Sequence, residues 1–251
     1  MRWTGPLESA ALLTVLPVPA RAAASARGVL PWAPLVGVVL GAAATGVAVA
    51  GERWISALAG AVLGIAVLAL LTRGLHLDGL ADTADGLGPL RDRERALQVM
   101  RQGDVGPFGV VALVLTLLLQ VACLAALLTV DGGWLALWTA VVSARLAMAR
   151  TGLRGVPPAD GSSLGRLVTG TVSGRWLAAS AVALAVLVAV AAGDPALTAR
   201  LLGSAVAGVV AAELLLRRAR ARLGGVTGDV IGAMGETTTT VVLLVAAIVL
   251  R

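Results

Sequence analysis

The chain has 251 residues, 58% of them hydrophobic, and a mean hydropathy of +0.93. A soluble domain holds roughly 45–50% apolar residues; here the excess is Ala, Val and Leu in long blocks, which excludes an ordinary soluble domain and implies a polytopic membrane protein. The net charge of +6 comes wholly from arginine, but the arginines lie between apolar blocks, which argues against nucleic-acid binding.

The absence of Tyr and the single Phe argue against an aromatic-girdled outer-membrane barrel. The apolar blocks run continuously instead of alternating, which favours helices. The expected fold is therefore all-α: one integral membrane unit over residues 1–251 with about six to seven transmembrane helices. Cys123 stands alone, so neither an intramolecular disulfide nor a thiolate zinc cluster is available. The opening MRWTGPLESAALLTVLPVPAR does not read as a cleavable signal, because its apolar stretch is short and broken by Pro17 and Pro19.

In chain order, residues 3–15 are expected to form a short amphipathic helix on the membrane surface. Seven spans follow, at 31–50, 54–71, 108–129, 133–150, 176–192, 197–216 and 237–250, against a need of about 20 apolar residues each. Trp32, Trp54, Trp134 and Trp176 mark span starts, as an interfacial aromatic belt requires. Of the 20 arginines, 17 fall in four segments: Arg2, Arg21 and Arg27; Arg73 to Arg101; Arg145 to Arg175; and Arg217 to Arg222. The positive-inside rule places these segments in the cytoplasm, with the motif-bearing loops 72–107 and 150–175 and the C-terminal motif 224–236 on that face. The last span is the shortest, and it decides the side of the C-terminus.

The segment RGLHLDGLADTADGLG at 73–88 carries Asp78, Asp82 and Asp85 at i, i+4 and i+7. On a helix they share an arc of roughly 60°. Three carboxylates so close repel one another, and a hard cation such as Mg²⁺ would hold them and could bridge a diphosphate. The other reading is a solvated face paired with the arginines at 91–95. Gly74, Gly79, Gly86 and Gly88 would let backbone approach a phosphate. His76, on the opposite side of such a helix, is either a general base or a packing residue.

MRQGDVGPFG at 100–109 offers Arg101 as a phosphate binder and Asp104 as a fourth carboxylate, or it is an ordinary loop-to-helix junction. GGVTGDVIGAMGE at 224–236 places Gly228 and Asp229 in an anion-cradling turn, with Glu236 on the same helical face; its glycines suit close helix packing equally well. Glu213 and Arg217 read as an i,i+4 salt bridge. The Gly-, Ser- and Arg-rich loop 150–175 suits a polyanionic substrate or is a flexible positive-inside loop.

The string HLDGLADTADG resembles the cobalamin synthase family, also called adenosylcobinamide-GDP ribazoletransferase. TVLPVP at 14–19, MRQGDVGPFG at 100–109 and GGVTGDVIGA at 224–233 resemble that family's other motifs in order and spacing. The resemblance implies a transferase of the prokaryotic cytoplasmic membrane. It would join adenosylcobinamide-GDP to α-ribazole, or its 5′-phosphate, with release of GMP and with Mg²⁺ as cofactor. His76, Asp78, Asp82, Asp85 and Asp229 match the family's motif positions. The family commonly has an acid where this chain has Gln102, with Asp104 nearby instead. The resulting expectation is a metal site of Asp78, Asp82 and Asp85, catalytic roles for His76, Asp82 and Asp104, and substrate contacts from Arg101, Gly228 and Asp229.

Two other classes fit the sequence less well. The CDP-alcohol phosphotransferase pattern fits only its opening here, at Asp82, Asp85 and Gly86, because Pro89-Leu90 stands where that pattern needs Ala-Arg. A divalent-cation or small-solute transporter would need acids deep in several spans, and nearly all the acids here fall in loops or at span ends. The small-residue helix faces permit association into a homo-oligomer.

Overall fold

A computed structural model describes residues 4–19 and 25–251; Arg2 and Arg21 of the expected cytoplasmic charges, and the first residue of the expected N-terminal helix, lie outside the described residues. Within them the chain is helical, with two isolated parallel bridges, Leu153 to Val172 and Pro158 to Val226, in place of strands. The helices are α1 (Thr4–Leu13), α2 (Val29–Trp54), α3 (Ala57–Leu71), α4 (Leu75–Leu87), α5 (Arg93–Met100), α6 (Pro107–Leu128), α7 (Leu135–Arg150), α8 (Ser163–Val168), α9 (Gly174–Ala192), α10 (Pro195–Leu223) and α11 (Gly228–Val249). Five of them, α2, α6, α9, α10 and α11, are long and apolar enough to cross a membrane; the pair α3 and α4 would make a sixth span but is bent by 88°.

The bend has a local cause. Arg73 and Gly74 both take left-handed backbone conformations, with φ of 56° and 66°, so the chain cannot continue helically from Thr72. α4 is thus a helix turned crosswise to α3, which at 15 residues is by itself shorter than a full span. The 72–107 segment is thus two helices and their turns. α1 is docked, and its buried face includes polar groups: Ser9 Oγ donates to Val29 O at 2.9 Å, and Glu8 accepts from the Gly28 amide at 2.7 Å.

The centre of the bundle is α7. All its residues but Trp138 and Arg150 are buried, so at 16 residues it is too short to be counted as a span yet sits in the core between α2, α9, α10 and α11. Arg145, expected as a loop charge, is in fact inside this helix and only 1% exposed. Arg217 to Arg222 likewise belong to the last turns of α10, and Trp54 ends α2 where it was expected to open the next span. The last span starts nine residues earlier than expected, at Gly228, so the glycine-rich C-terminal motif forms its first turns.

Glycines set the closest helix approaches. A Cβ on Gly60 of α3 would meet the backbone nitrogen of Glu52 in α2 at 2.6 Å, and one on Gly64 would meet the Ala48 methyl at 2.8 Å. Close backbone approach of this kind is how helices associate where lipid removes the usual hydrophobic drive. By contrast a Cβ on Gly46 would meet nothing. Gly60→Ala is expected to lower thermal stability in detergent by about 1–3 kcal/mol through overpacking against backbone. Gly46→Ala should be neutral, or stabilising by up to about 1 kcal/mol from helix propensity. Melting both variants beside the parent checks the pair; equal effects would refute the α2–α3 contact.

Candidate active site

The site is built where α4 crosses the first turns of α6 and α11. A Cβ on Gly79 would meet the Asp229 carbonyl at 2.7 Å and its Cα at 2.9 Å, and Gly232 lies against the His76 backbone. Gly86 likewise faces the Met100 side chain. The α4 glycines, expected to admit a phosphate, are used here at Gly79 and Gly86 to admit neighbouring protein.

On the other side of α4, Asp85 is committed to α6. Its Oδ2 accepts from the Gly106 amide at 2.7 Å, and its own carbonyl accepts from Arg91 at 2.7 Å. Gly106 is the N-cap of α6 and has no side chain with which to cap it. A Cβ on Gly106 would reach the Asp85 carboxyl carbon at 2.8 Å, so glycine there leaves the room that the carboxylate fills.

Asp82 is buried and Asp78 is exposed. α4 lies off the spans, and there burial first, then the charges of Asp229, Asp78 and Asp85, push Asp82 up to about 7. Two remote segments thus bring Asp78, Asp82 and Asp229 into mutual electrostatic reach. Among the described residues the ion pairs are Arg150–Glu213 at 3.3 Å and the expected Arg217–Glu213 at 3.5 Å. None involves these aspartates, so the arginines at 91–95 do not neutralise them. Nor do any three His, Cys, Asp or Glu groups among the described residues close into a metal cage by themselves.

Beside the acids lies a cavity of about 340 Å³. His76, Arg101, Gly228 and Asp229 all line it, together with Asp160 and Ser162 from the 150–175 loop. Arg101 reaches across to donate to the Asp160 carbonyl. The loop is pinned in place: Ala159 N–H donates to Val226 O and Val226 N–H to Pro157 O, both at 3.0 Å. Thr227 caps α11 by accepting from the Val230 amide at 3.2 Å. Asp104 and Gln102 are exposed in the turn before α6 and do not line the cavity.

His76 is 2% exposed and faces α7, where its Nδ1 stands 3.4 Å from Arg145 Nη2. Burial and the Arg145 charge hold its pKa well below the ordinary histidine value. Sequence reading missed Arg145 as a site residue. The signal was present, since an arginine five residues inside an apolar block is too costly to be incidental. It also missed Glu236 as a deep group: this acid is buried in α11 and accepts from Gln120 of α6 at 2.9 Å, so one carboxylate does lie inside a span.

The chain matches the family model described as cobalamin-5-phosphate synthase over residues 6–247. Similar curated proteins include an adenosylcobinamide-GDP ribazoletransferase of Frankia casuarinae, 40% identical over 94% of this chain and 91% of its own. Those of Bradyrhizobium diazoefficiens and Sinorhizobium medicae bear the same name. They are 37% and 38% identical, over 95% and 96% of this chain and 91% and 95% of theirs. No solved structure matches.

The raised Asp82 fixes the sign of a pH effect. The unfolded carboxyl ionises near 3.8 and the folded one near 7, so the folded state holds the extra proton between them. Stability from this group is complete below about pH 4 and is lost as pH rises through 7. With divalent cations chelated, Asp82→Asn should therefore melt higher than the parent at pH 8, by about 2 °C or more, and no higher at pH 4.5. A pH-independent difference would refute the like-charge cluster.

Proposed function

The chain belongs to the cobalamin-5-phosphate synthase family, and from that membership and the site geometry we propose that it is a membrane transferase joining adenosylcobinamide-GDP to α-ribazole or its 5′-phosphate, with release of GMP. A ribazole hydroxyl attacks a diphosphate phosphorus, and GMP leaves with the electrons of the broken P–O bond. Such transfer depends on positioning and charge stabilisation more than on covalent help. The observation that carries the reading is the convergence of α4 acids with Asp229 of α11 beside a cavity lined by Arg101 and His76.

The donor set fits a hard divalent cation: the crowded groups are carboxylates, and no side-chain cation among the described residues pairs with them. Mg²⁺ typically takes one or two protein carboxylates and completes its shell with water and substrate phosphates, so no closed protein cage is needed. Asp78, Asp82 and Asp229 would hold it, and the bound ion would neutralise charge on the diphosphate. Asp85 supports the site through α6. Arg101 and the first turn of α11 at Gly228 would meet phosphate oxygens. Asp104, on its exposed turn, would supply the charge that the family places at the Gln102 position.

The arginine-rich segments gather at the α4 end. Arg222 of α10 donates to Arg91 O at 2.9 Å, and Arg220 donates to Gly155 O at 3.2 Å. By the positive-inside rule this end would face the cytoplasm of a cell membrane.

The test is GMP release from adenosylcobinamide-GDP by detergent-purified protein. Release should require both Mg²⁺ and α-ribazole or its 5′-phosphate. Asp82→Asn should cut kcat by about 10²-fold or more while the protein still inserts and purifies normally. Release without a ribazole, or full turnover in that variant, would overturn the proposal.

A further inference from the structure

His76 and Arg145 form a contact that the reaction chemistry above does not use. Both side chains are buried, 2% and 1% exposed, and Arg145 Nη2 stands 3.4 Å from His76 Nδ1. A guanidinium has donors and no acceptor. The ring nitrogen facing it must therefore be bare, and the imidazole proton belongs on Nε2. Nε2 is buried without a hydrogen-bond partner among the described residues, and His76 lines the cavity shared with Asp229 and Arg101. A buried donor left unpaired calls for a partner that the protein does not itself supply.

Buried Glu236 stands on α11, which packs against α7, beyond ion-pair distance of Arg145, whose Nε has no hydrogen-bond partner among the described residues. Glu236 is itself fixed by Gln120, whose Nε2 donates to Glu236 Oε2 at 2.9 Å and to Thr240 Oγ1 at 3.0 Å. Helix α7 thus places one guanidinium beside the imidazole carried by α4.

We propose that Arg145 is a positioning residue that fixes His76 with a bare Nδ1 and a protonated Nε2, so that His76 serves the transfer as a hydrogen-bond donor to a phosphate oxygen and not as the general base. The hydroxyl proton then goes to a carboxylate of the neighbouring cluster. The inference rests on the transferase reading for its chemistry but not for its geometry.

His76 is the only histidine in the chain, so ring-¹⁵N-histidine labelling reports on one imidazole. In detergent micelles the parent should show one bare nitrogen, Nδ1, and one protonated nitrogen, Nε2. A ring protonated at Nδ1, or at both nitrogens, would overturn the proposal. Arg145→Met should mix the two tautomers and lower kcat about tenfold or more with little change in KM; a single unchanged tautomer in that variant would also overturn it. His76→Gln keeps an N–H donor but no base, and should retain at least about tenfold more turnover than His76→Ala. Equal loss in the two refutes the donor role. If the transferase reading fails, no GMP appears in any variant while the parent tautomer stands, so the two failures are distinguishable.

Discussion

Two spanning helices begin at the basic end with a glycine that has no side chain to cap them, and each is capped by a carboxylate from another helix. Asp85 of α4 accepts from Gly106 at the start of α6, and Glu8 of α1 accepts from Gly28 at the start of α2, both at 2.7 Å. A helix start carries unsatisfied amides and about half a positive charge. A carboxylate in that position is stabilised, and it also ties a surface helix to a span. The Asp85 bond holds the C-terminal half of α4 against α6, while the Gly79 and Gly232 contacts hold its N-terminal half against α11. The direction of α4, and hence where Asp78 and Asp82 sit, depends on this pair of attachments.

The arginines complete the frame. Arg218 donates to Leu87 O at 3.3 Å and Arg222 to Pro89 O and Arg91 O, all carbonyls at or just beyond the C-terminal end of α4. Helix C-termini present unsatisfied carbonyls and a partial negative charge, so cations from α10 are well placed there. Arg101, Arg220 and Arg73 also bond to carbonyls of other segments. Much of the positive charge that marks this end of the bundle is therefore structural. Among the described residues it leaves the aspartates without arginine partners, which is the charge pattern the proposed cation would balance.

Much of this was legible in the sequence. The spans follow from apolar length, and the α4 aspartates from their spacing. Arg101 was read from one motif, Gly228 and Asp229 from a second and His76 from a third, and all four line one cavity. What periodicity could not show was direction. Asp78, Asp82 and Asp85 share an arc, yet Asp85 is drawn to a helix start twenty-one residues on. Gly79 reads as a phosphate approach until the crossing helix is known. Arg145 was counted with loop charges because an arginine near the end of an apolar block is the same letter whether it leaves the bundle or turns into it. α11 was read short because its first turns hold glycines and acids, which lower hydropathy without ending a helix that has Thr227 as its cap.

The buried Arg145 bears on why such chemistry would be built on a membrane bundle at all. A charge in a helical core is costly, and replacing it with apolar side chains would commonly stabilise the protein. Its place beside His76 points to a geometric use. His76, Asp78, Asp82 and Asp229 all stand on helices, α4 and α11, whose packing is set by backbone-close glycine contacts. Residues on packed helices hold position better than residues on loops, and phosphoryl transfer depends on position. Arg145 extends that logic one layer inward: it fixes the ring of His76 from a helix buried along all but two of its residues. Besides α4, the segments that line the cavity from outside the spanning bundle are α1, α5 with Arg101, and the 150–175 loop, so two large substrates would have to enter past them.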